Sequence, residues 1–274
     1  HVLSRRQRQM CIRDSLYYDQ EMEISISYRY KKKEDTIPIL FLHGFNGNSK
    51  SWAYQFKYFD DKHSIIAIDA PGFGKSDVSS MDMYDMAKVV MNLLKSLNIL
   101  ECYVVGHSMG GMLAQIIASQ YNTLVKKLIL SCTHKGYGMA SGKPLMESYC
   151  KRLDERKTLS DKDFGLLRIN KMLPGLKNKE IFNFLASISE EINEGSITSG
   201  GMAMQILDTS NDLSKVTQEC MIITASEDIV VTKERSSALK NSIPHAITRE
   251  LLDVGHAPYC EDHKGFNNLL EKFI

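Results

Sequence analysis

The chain has 274 residues, of which 43% are hydrophobic and 24% charged. That is the composition of a globular protein long enough to bury a substantial core, and it excludes a disordered chain. With 34 basic and 33 acidic residues the formal net charge is +1, so no basic excess marks a nucleic-acid surface, and no run of about 18 apolar residues offers a membrane-spanning helix.

The stretch Arg5 to Ser15 shows no apolar period and no capping signal. It resembles the translation of a transposon-type sequencing-library adapter; the alternatives are a natural basic arm that binds nucleic acid and a shortened transit peptide. On the adapter reading residues 1–15 stay outside fold reasoning, and the natural start is Met22 or has been lost. Ile24, Ile26, Tyr28 and Tyr30 then alternate with polar residues, which predicts a half-exposed strand. Largely apolar runs at 37–42, 64–69, 102–105 and 125–131 have the pattern of strands buried on both faces. Helical patterns lie between them. Met86, Val90, Leu93 and Leu97 form one stripe, and residues 112–121 form a second helix. Strands alternating with helices predict a mostly parallel α/β sheet.

After Cys132 the alternation lapses. Four helices are expected at 145–156, 161–172, 179–192 and 197–208, with Ser160 and Asp163 at capping-box spacing. Strand-type runs resume at 221–225 and 247–252, and a closing helix starts near Lys264. The expected organisation is one sheet domain, residues 16–133 and 214–274, interrupted by a helical insertion at 134–213. Among the six cysteines, Cys102, Cys132 and Cys220 end strand-type runs, and no C-x-x-C pair exists. Buried free thiols in a reducing cytoplasm are expected, and no metal site.

The chemistry centres on Gly106-His107-Ser108-Met109-Gly110, which joins a buried strand to a helix. The chain must turn sharply there, and a Cβ at position 106 or 110 would clash. The turn points the Ser108 hydroxyl out at the carboxyl edge of the sheet, beside a helix N-terminus. A plain strand–helix turn or a phosphate site is the alternative.

In this setting the sequence resembles the α/β-hydrolase fold family over about residues 22–274, and four further motifs stand in the family order. His43-Gly44-Phe45-Asn46-Gly47 resembles the H-G-x-x-G oxyanion loop. It implies the backbone amides of Phe45 and Met109 as paired donors to a tetrahedral oxyanion, with His43 bonding its own loop. Asp69 to Ser76 resembles the D-x-P-G-x-G-x-S turn, expected to be scaffold. A P-loop would need Gly where Asp69 stands, and a dinucleotide fingerprint would need Gly at Asp77. Asp228 resembles the family acid, with Glu227 and Asp253 as competitors. His256, before the closing helix, resembles the general base, and the order Ser, Asp, His is the hydrolase order.

His107 is expected to point away from the site. His134, where the insertion begins, is a candidate substrate contact or a solvated loop residue. Trp52 and Met139 complete the candidate pocket, with core packing as the alternative that the sequence favours for each. The resemblance implies a helical cap over the sheet edge and two-step acyl transfer on a small carboxylic ester or lactone, without cofactor or metal. Ser at the elbow, where dehalogenases and epoxide hydrolases use Asp, argues against both of those. Carbon–carbon bond hydrolysis, lyase chemistry and a ligand-binding protein without turnover compete with it, because fold does not settle substrate.

Overall fold

A computed structural model describes residues 14–274; Cys11 and the rest of 1–13 lie outside the described residues. Eight strands form one sheet: β1 (Asp14–Asp19), β2 (Ile24–Lys31), β3 (Ile39–Leu42), β4 (Ile65–Ile68), β5 (Cys102–His107), β6 (Val125–Ser131), β7 (Glu219–Ala225) and β8 (Ile247–Leu251). Their spatial order is β1-β2-β4-β3-β5-β6-β7-β8. β2 runs antiparallel to both β1 and β4, and every other pairing is parallel.

The central strands are apolar on both faces because helices cover both. Side chains alternate along a strand, so β3 and β4 feed two cores. Leu40, Leu42, Ile66 and Ile68 pack with the helices α2 (Met83–Ser96) and α3 (Met109–Gln120). Ile39, Phe41, Ile65 and Ala67 pack on the other face with Trp52, Phe56, Phe59 and Phe266. Phe56 and Phe59 come from α1 (Ala53–Phe59), which follows a short 3₁₀ turn capped by Asn48.

Two strand details differ from the sequence expectation. β1 had no counterpart there, and a boundary at residue 15 falls inside it. Leu16 and Tyr18 of this edge strand are exposed, so apolar patterning could not mark it. Pairing holds it in place: Asp14↔Arg29 through Asp19↔Ile24 are in register, and Asp14 accepts from Arg29 at 2.9 Å and Lys75 at 2.6 Å.

Between β6 and β7 lie α4 (Glu147–Thr158), α5 (Asp161–Met172), α6 (Lys179–Ser189), a π turn (Ser196–Gly200), α7 (Gly201–Ile206) and α8 (Ser210–Leu213). The expected helix at 197–208 is therefore split. Gly200 and Gly201 at the junction let Phe73, Phe45 and Tyr149 come against the backbone. Ser160 caps α5: its hydroxyl accepts from the Asp163 amide at 3.1 Å and donates to the Asp163 carboxylate at 2.7 Å. After β7 come α9 (Lys233–Ser242), and after β8 α10 (Pro258–Glu261) and α11 (His263–Phe273). The five described cysteines are free; all but Cys150 are buried. No helix among the described residues is long and apolar enough to cross a membrane.

Candidate active site

Ser108 sits between β5 and α3 at φ 51° and ψ −117°, a conformation that costs a non-glycine residue on the order of 1–3 kcal/mol. Hydrogen bonds on both sides of the residue hold it there. Its amide donates to the Ser131 carbonyl at 2.9 Å, and its own carbonyl accepts from Gly111 N–H at 2.9 Å and the Thr133 hydroxyl at 2.7 Å. Glycine is required on both sides. A Cβ at Gly106 would run into the Gly110 carbonyl, and one at Gly110 into the Leu42 carbonyl at the end of β3.

The structure brings residues 108, 228 and 256 together. His256 Nε2 lies 3.0 Å from Ser108 Oγ, and His256 Nδ1 lies 3.0 and 2.9 Å from the two Asp228 carboxylate oxygens. An ionised carboxylate only accepts, so Nδ1 carries the proton and the Nε2 lone pair faces the serine hydroxyl. Asp228 is fixed in turn by the amides of Val230 at 2.8 Å and Val231 at 3.0 Å. Burial works against its charge, but the bond and charge of His256 and those two amides outweigh it and hold the carboxyl below its ordinary range. Glu227 and Asp253, the competing acids, are both exposed.

His256 is 3% exposed, and a second carboxylate brackets it. Glu261 accepts from Gly255 N–H at 3.0 Å and from Ala257 N–H at 2.9 Å. Burial pushes the Glu261 carboxyl up, and the two amides offset only part of that. Cys132 places its sulfur beside the triad: one ligand-type atom each of Cys132, Asp228 and His256 falls within 4.8 Å of the others. Burial and the Asp228 charge push the thiol well up. Asp228 and His256 bond each other and His256 Nε2 faces Ser108, so the ligand atoms of this group are already engaged and do not fit a resident cation.

The loop after β3 lies directly against the serine. A Cβ at Gly44 would come within 3.2 Å of Ser108 Cβ and 2.9 Å of His107 Cδ2. His43 bonds within this scaffold, as its sequence position implied. Ala70 N–H donates to Nε2 at 3.0 Å, which leaves Nδ1–H to donate to the Gly44 carbonyl at 2.8 Å. The Asp69 turn braces the same loop, its carboxylate accepting from Ser49 N–H at 2.7 Å and Lys75 N–H at 3.0 Å.

A cavity of about 140 Å³ opens onto Ser108 and His256. Its walls come from the loop carrying Phe45, from α4 to α6, and from Val230 and Val231 after β7. His134 lines it and is 6% exposed, so it is no solvated loop residue. Burial and the Arg235 charge push its pKa down to about 4. Trp52 and Met139 do not line the cavity. Trp52 is fully buried in the sheet's other core, with ring centroids 4.8 Å from Phe41 and 5.0 Å from Tyr259. Met139 lies outside the cavity wall, half-buried, its amide bonded to the Gln205 carbonyl. Met112, Met172 and Met204 are the methionines that line it. His107 also lines it, 4.9 Å ring to ring from His256; it does not point away. Burial, then the nearby His256, keeps its pKa well below the ordinary value.

A family model for the alpha/beta hydrolase fold matches residues 37–146, the part of the chain that holds the serine elbow and the loop against it. The chain has the α/β-hydrolase fold. This α/β-hydrolase is 23% identical over 252 residues to an uncharacterized hydrolase of Bacillus subtilis, covering 85% of the chain and 88% of the relative. An esterase from Exiguobacterium antarcticum matches it with a TM-score of 0.83 at 18% identity, over 95% of the chain and 99% of the esterase. An enol-lactonase from Burkholderia xenovorans LB400 matches with a TM-score of 0.82 at 16% identity, over 94% and 99% respectively. At these identities the structural likeness speaks to the fold alone.

Sequence reasoning missed several residues of the candidate site. Glu261 follows His256 by five positions, and nothing in its spacing marks it as a bracket for that loop. Tyr137, Tyr149 and Arg152 line the cavity, yet on the sequence they read as ordinary loop and helix residues. No sequence signal marked Arg152, since Glu155 stands three positions on, at ordinary helical ion-pair spacing.

Proposed function

We propose that this α/β-fold hydrolase cleaves a small carboxylic ester or lactone by two-step acyl transfer. The observation that carries the reading is the line of contacts from Ser108 Oγ through His256 to Asp228, 3.0 Å on one side and 2.9 Å on the other. His256 takes the serine proton as Oγ attacks the acyl carbon, and returns it to the departing alkoxide. Water then attacks the acyl-enzyme with His256 again as base. Asp228 keeps the imidazole in the right tautomer and stabilises its protonated form.

The amides of Phe45 and Met109 receive the developing oxyanion; the closeness of Gly44 to Ser108 supports that assignment. Each such donor contributes on the order of 10²–10³ in rate. Residues 134–213 act as a cap that closes the cavity over the serine. No step calls for a cofactor or a metal.

A fluorophosphonate probe tests the assignment. We expect it to label the protein at Ser108, and Ser108→Ala or His256→Ala to abolish labelling. Unchanged labelling of Ser108→Ala overturns it. A panel of short and long p-nitrophenyl esters and lactones then reads the substrate class; uniformly slow turnover with intact labelling would move the chemistry toward carbon–carbon cleavage or elimination.

A further inference from the structure

We propose that the substrate carries a second group, an ionised carboxylate, and that Arg152 of α4 holds it. The inference rests on the acyl-transfer reading and names its substrate class.

The argument begins with charge pairing in α4. Its other three cations each face a carboxylate: Lys151 pairs with Glu147 at 2.8 Å, Arg156 with Asp161, and Lys157 with Glu194 at 3.7 Å. These are surface pairs of modest worth, but they show that carboxylates reach the other cations of this helix, from the helix itself and from its neighbours. Arg152, the one α4 cation that lines the cavity, has no carboxylate in ion-pair range among the described residues. Its Nε is buried without a hydrogen-bond partner. Its one polar contact is a long one of 3.5 Å to the Asn46 side-chain oxygen. Burying a guanidinium with its donors unmet is costly.

The neighbouring charges deepen the deficit. Arg152, Arg168 and Lys171 all line the cavity, and no acidic residue does. Glu155 is the carboxylate that serves this cluster, and it is taken: Arg168 donates to it at 2.9 Å and Lys171 bonds its other oxygen. Three cations share one anion at the wall of the cavity that opens onto Ser108.

Aromatic rings fix where the free cation points. The Arg152 guanidinium lies 4.6 Å over the Phe45 ring and 5.6 Å from that of Tyr149. Those rings hold the guanidinium at the cavity wall. A planar fork of N–H donors matches a carboxylate in two parallel bonds. Phe45 is also the residue whose amide is assigned to the oxyanion, so anion recognition and the reacting carbonyl share one loop. Burial holds the arginine pKa down to about 10, still charged at neutral pH.

The test pairs two esters that differ in charge, monomethyl glutarate and methyl valerate, with hydrolysis followed by pH-stat. We expect the hemi-ester to be preferred in kcat/KM by about tenfold or more. Arg152→Met should cut that preference at least tenfold. Arg152→Lys, which keeps the charge and loses the fork, should restore part of it, and 0.5 M salt should weaken it in the unaltered enzyme. Equal losses on both esters in Arg152→Met, or a preference for methyl valerate in the unaltered enzyme, overturns the proposal while Ser108 still labels. Loss of Ser108 labelling in the unaltered enzyme would instead sink the acyl-transfer reading. Should Arg152→Met fail to fold, the salt dependence and Arg152→Lys still decide.

Discussion

The carboxyl edge of the sheet and the helical segment 134–213 both reach the cavity, but different forces hold them. At the sheet edge, backbone groups position the side chains: the Ser131 carbonyl and Gly111 amide for Ser108, two amides for Asp228, and two amides on Glu261 for the loop of His256. In the helical segment, side chains position side chains. Glu155 bridges Arg168 and Lys171, and Ser160 and Asp163 cap α5. The difference teaches where tolerance lies. Backbone-to-backbone closeness leaves no room for a Cβ, whereas a helix surface can exchange its charges. The first region therefore suits fixed chemistry, the second suits substrate choice.

The largest expected effect is on the sheet edge. Ser108→Ala should lower kcat by more than about 10⁴-fold on whichever ester turns over best, and Asp228→Asn by a similar order, because the amide stabilises the wrong imidazole tautomer. Unaltered unfolding curves for both variants would show that catalysis alone was lost.

Glycine substitutions test the contrast in stability. Gly110→Val pushes side-chain atoms into the Leu42 carbonyl and should cost about 3 kcal/mol or more in denaturant unfolding. At Gly175, in the helical segment, a Cβ would meet nothing within 4 Å; Gly175→Ala should stay within about 0.5 kcal/mol. Equal costs would erase the distinction drawn between the regions.

Acid stability sharpens it further. His134 is buried and neutral, its pKa held at about 4, below that of the unfolded chain. As pH falls below about 6.5 the unfolded chain binds a proton that the folded one refuses, so stability drops between pH 6.5 and about 4. His43 and His107, also lowered by burial, act in the same direction. His134→Gln should flatten, not abolish, that acid limb in a series of thermal melts. An unchanged limb would show that His134 is not buried neutral.

The smallest effect concerns the cap of α5. Ser160→Ala removes the Asp163 amide's acceptor and should cost about 1 kcal/mol, with kcat/KM unchanged.

Much of this protein was legible before folding was considered. The runs at 37–42, 64–69, 102–105 and 125–131 announced strands because both faces had to be covered. Gly106 and Gly110 announced the elbow because only glycine fits. Motif order singled out Asp228 over Glu227 and Asp253. The edge strand β1 was not legible, since half its side chains face outward and its pairing partner alone defines it. Trp52 follows the serine-facing loop in sequence, but that closeness does not decide on which side of the sheet its ring packs; Met139 is one thioether among several in the insertion, and only packing decides which of them reach the cavity.

Local physics, then, is what the amino-acid order determined by itself: which segments bury both faces, where a turn forbids a side chain, and in what succession hydroxyl, carboxylate and imidazole follow. Tertiary structure decided the relations between distant residues. It set Glu261 under the amides beside His256, turned His107 and His134 into the cavity wall, and left Arg152 without an anion while its helical neighbours found theirs. Such relations have no period along the chain. They depend on how helices from one segment land on loops from another, and packing alone settles that.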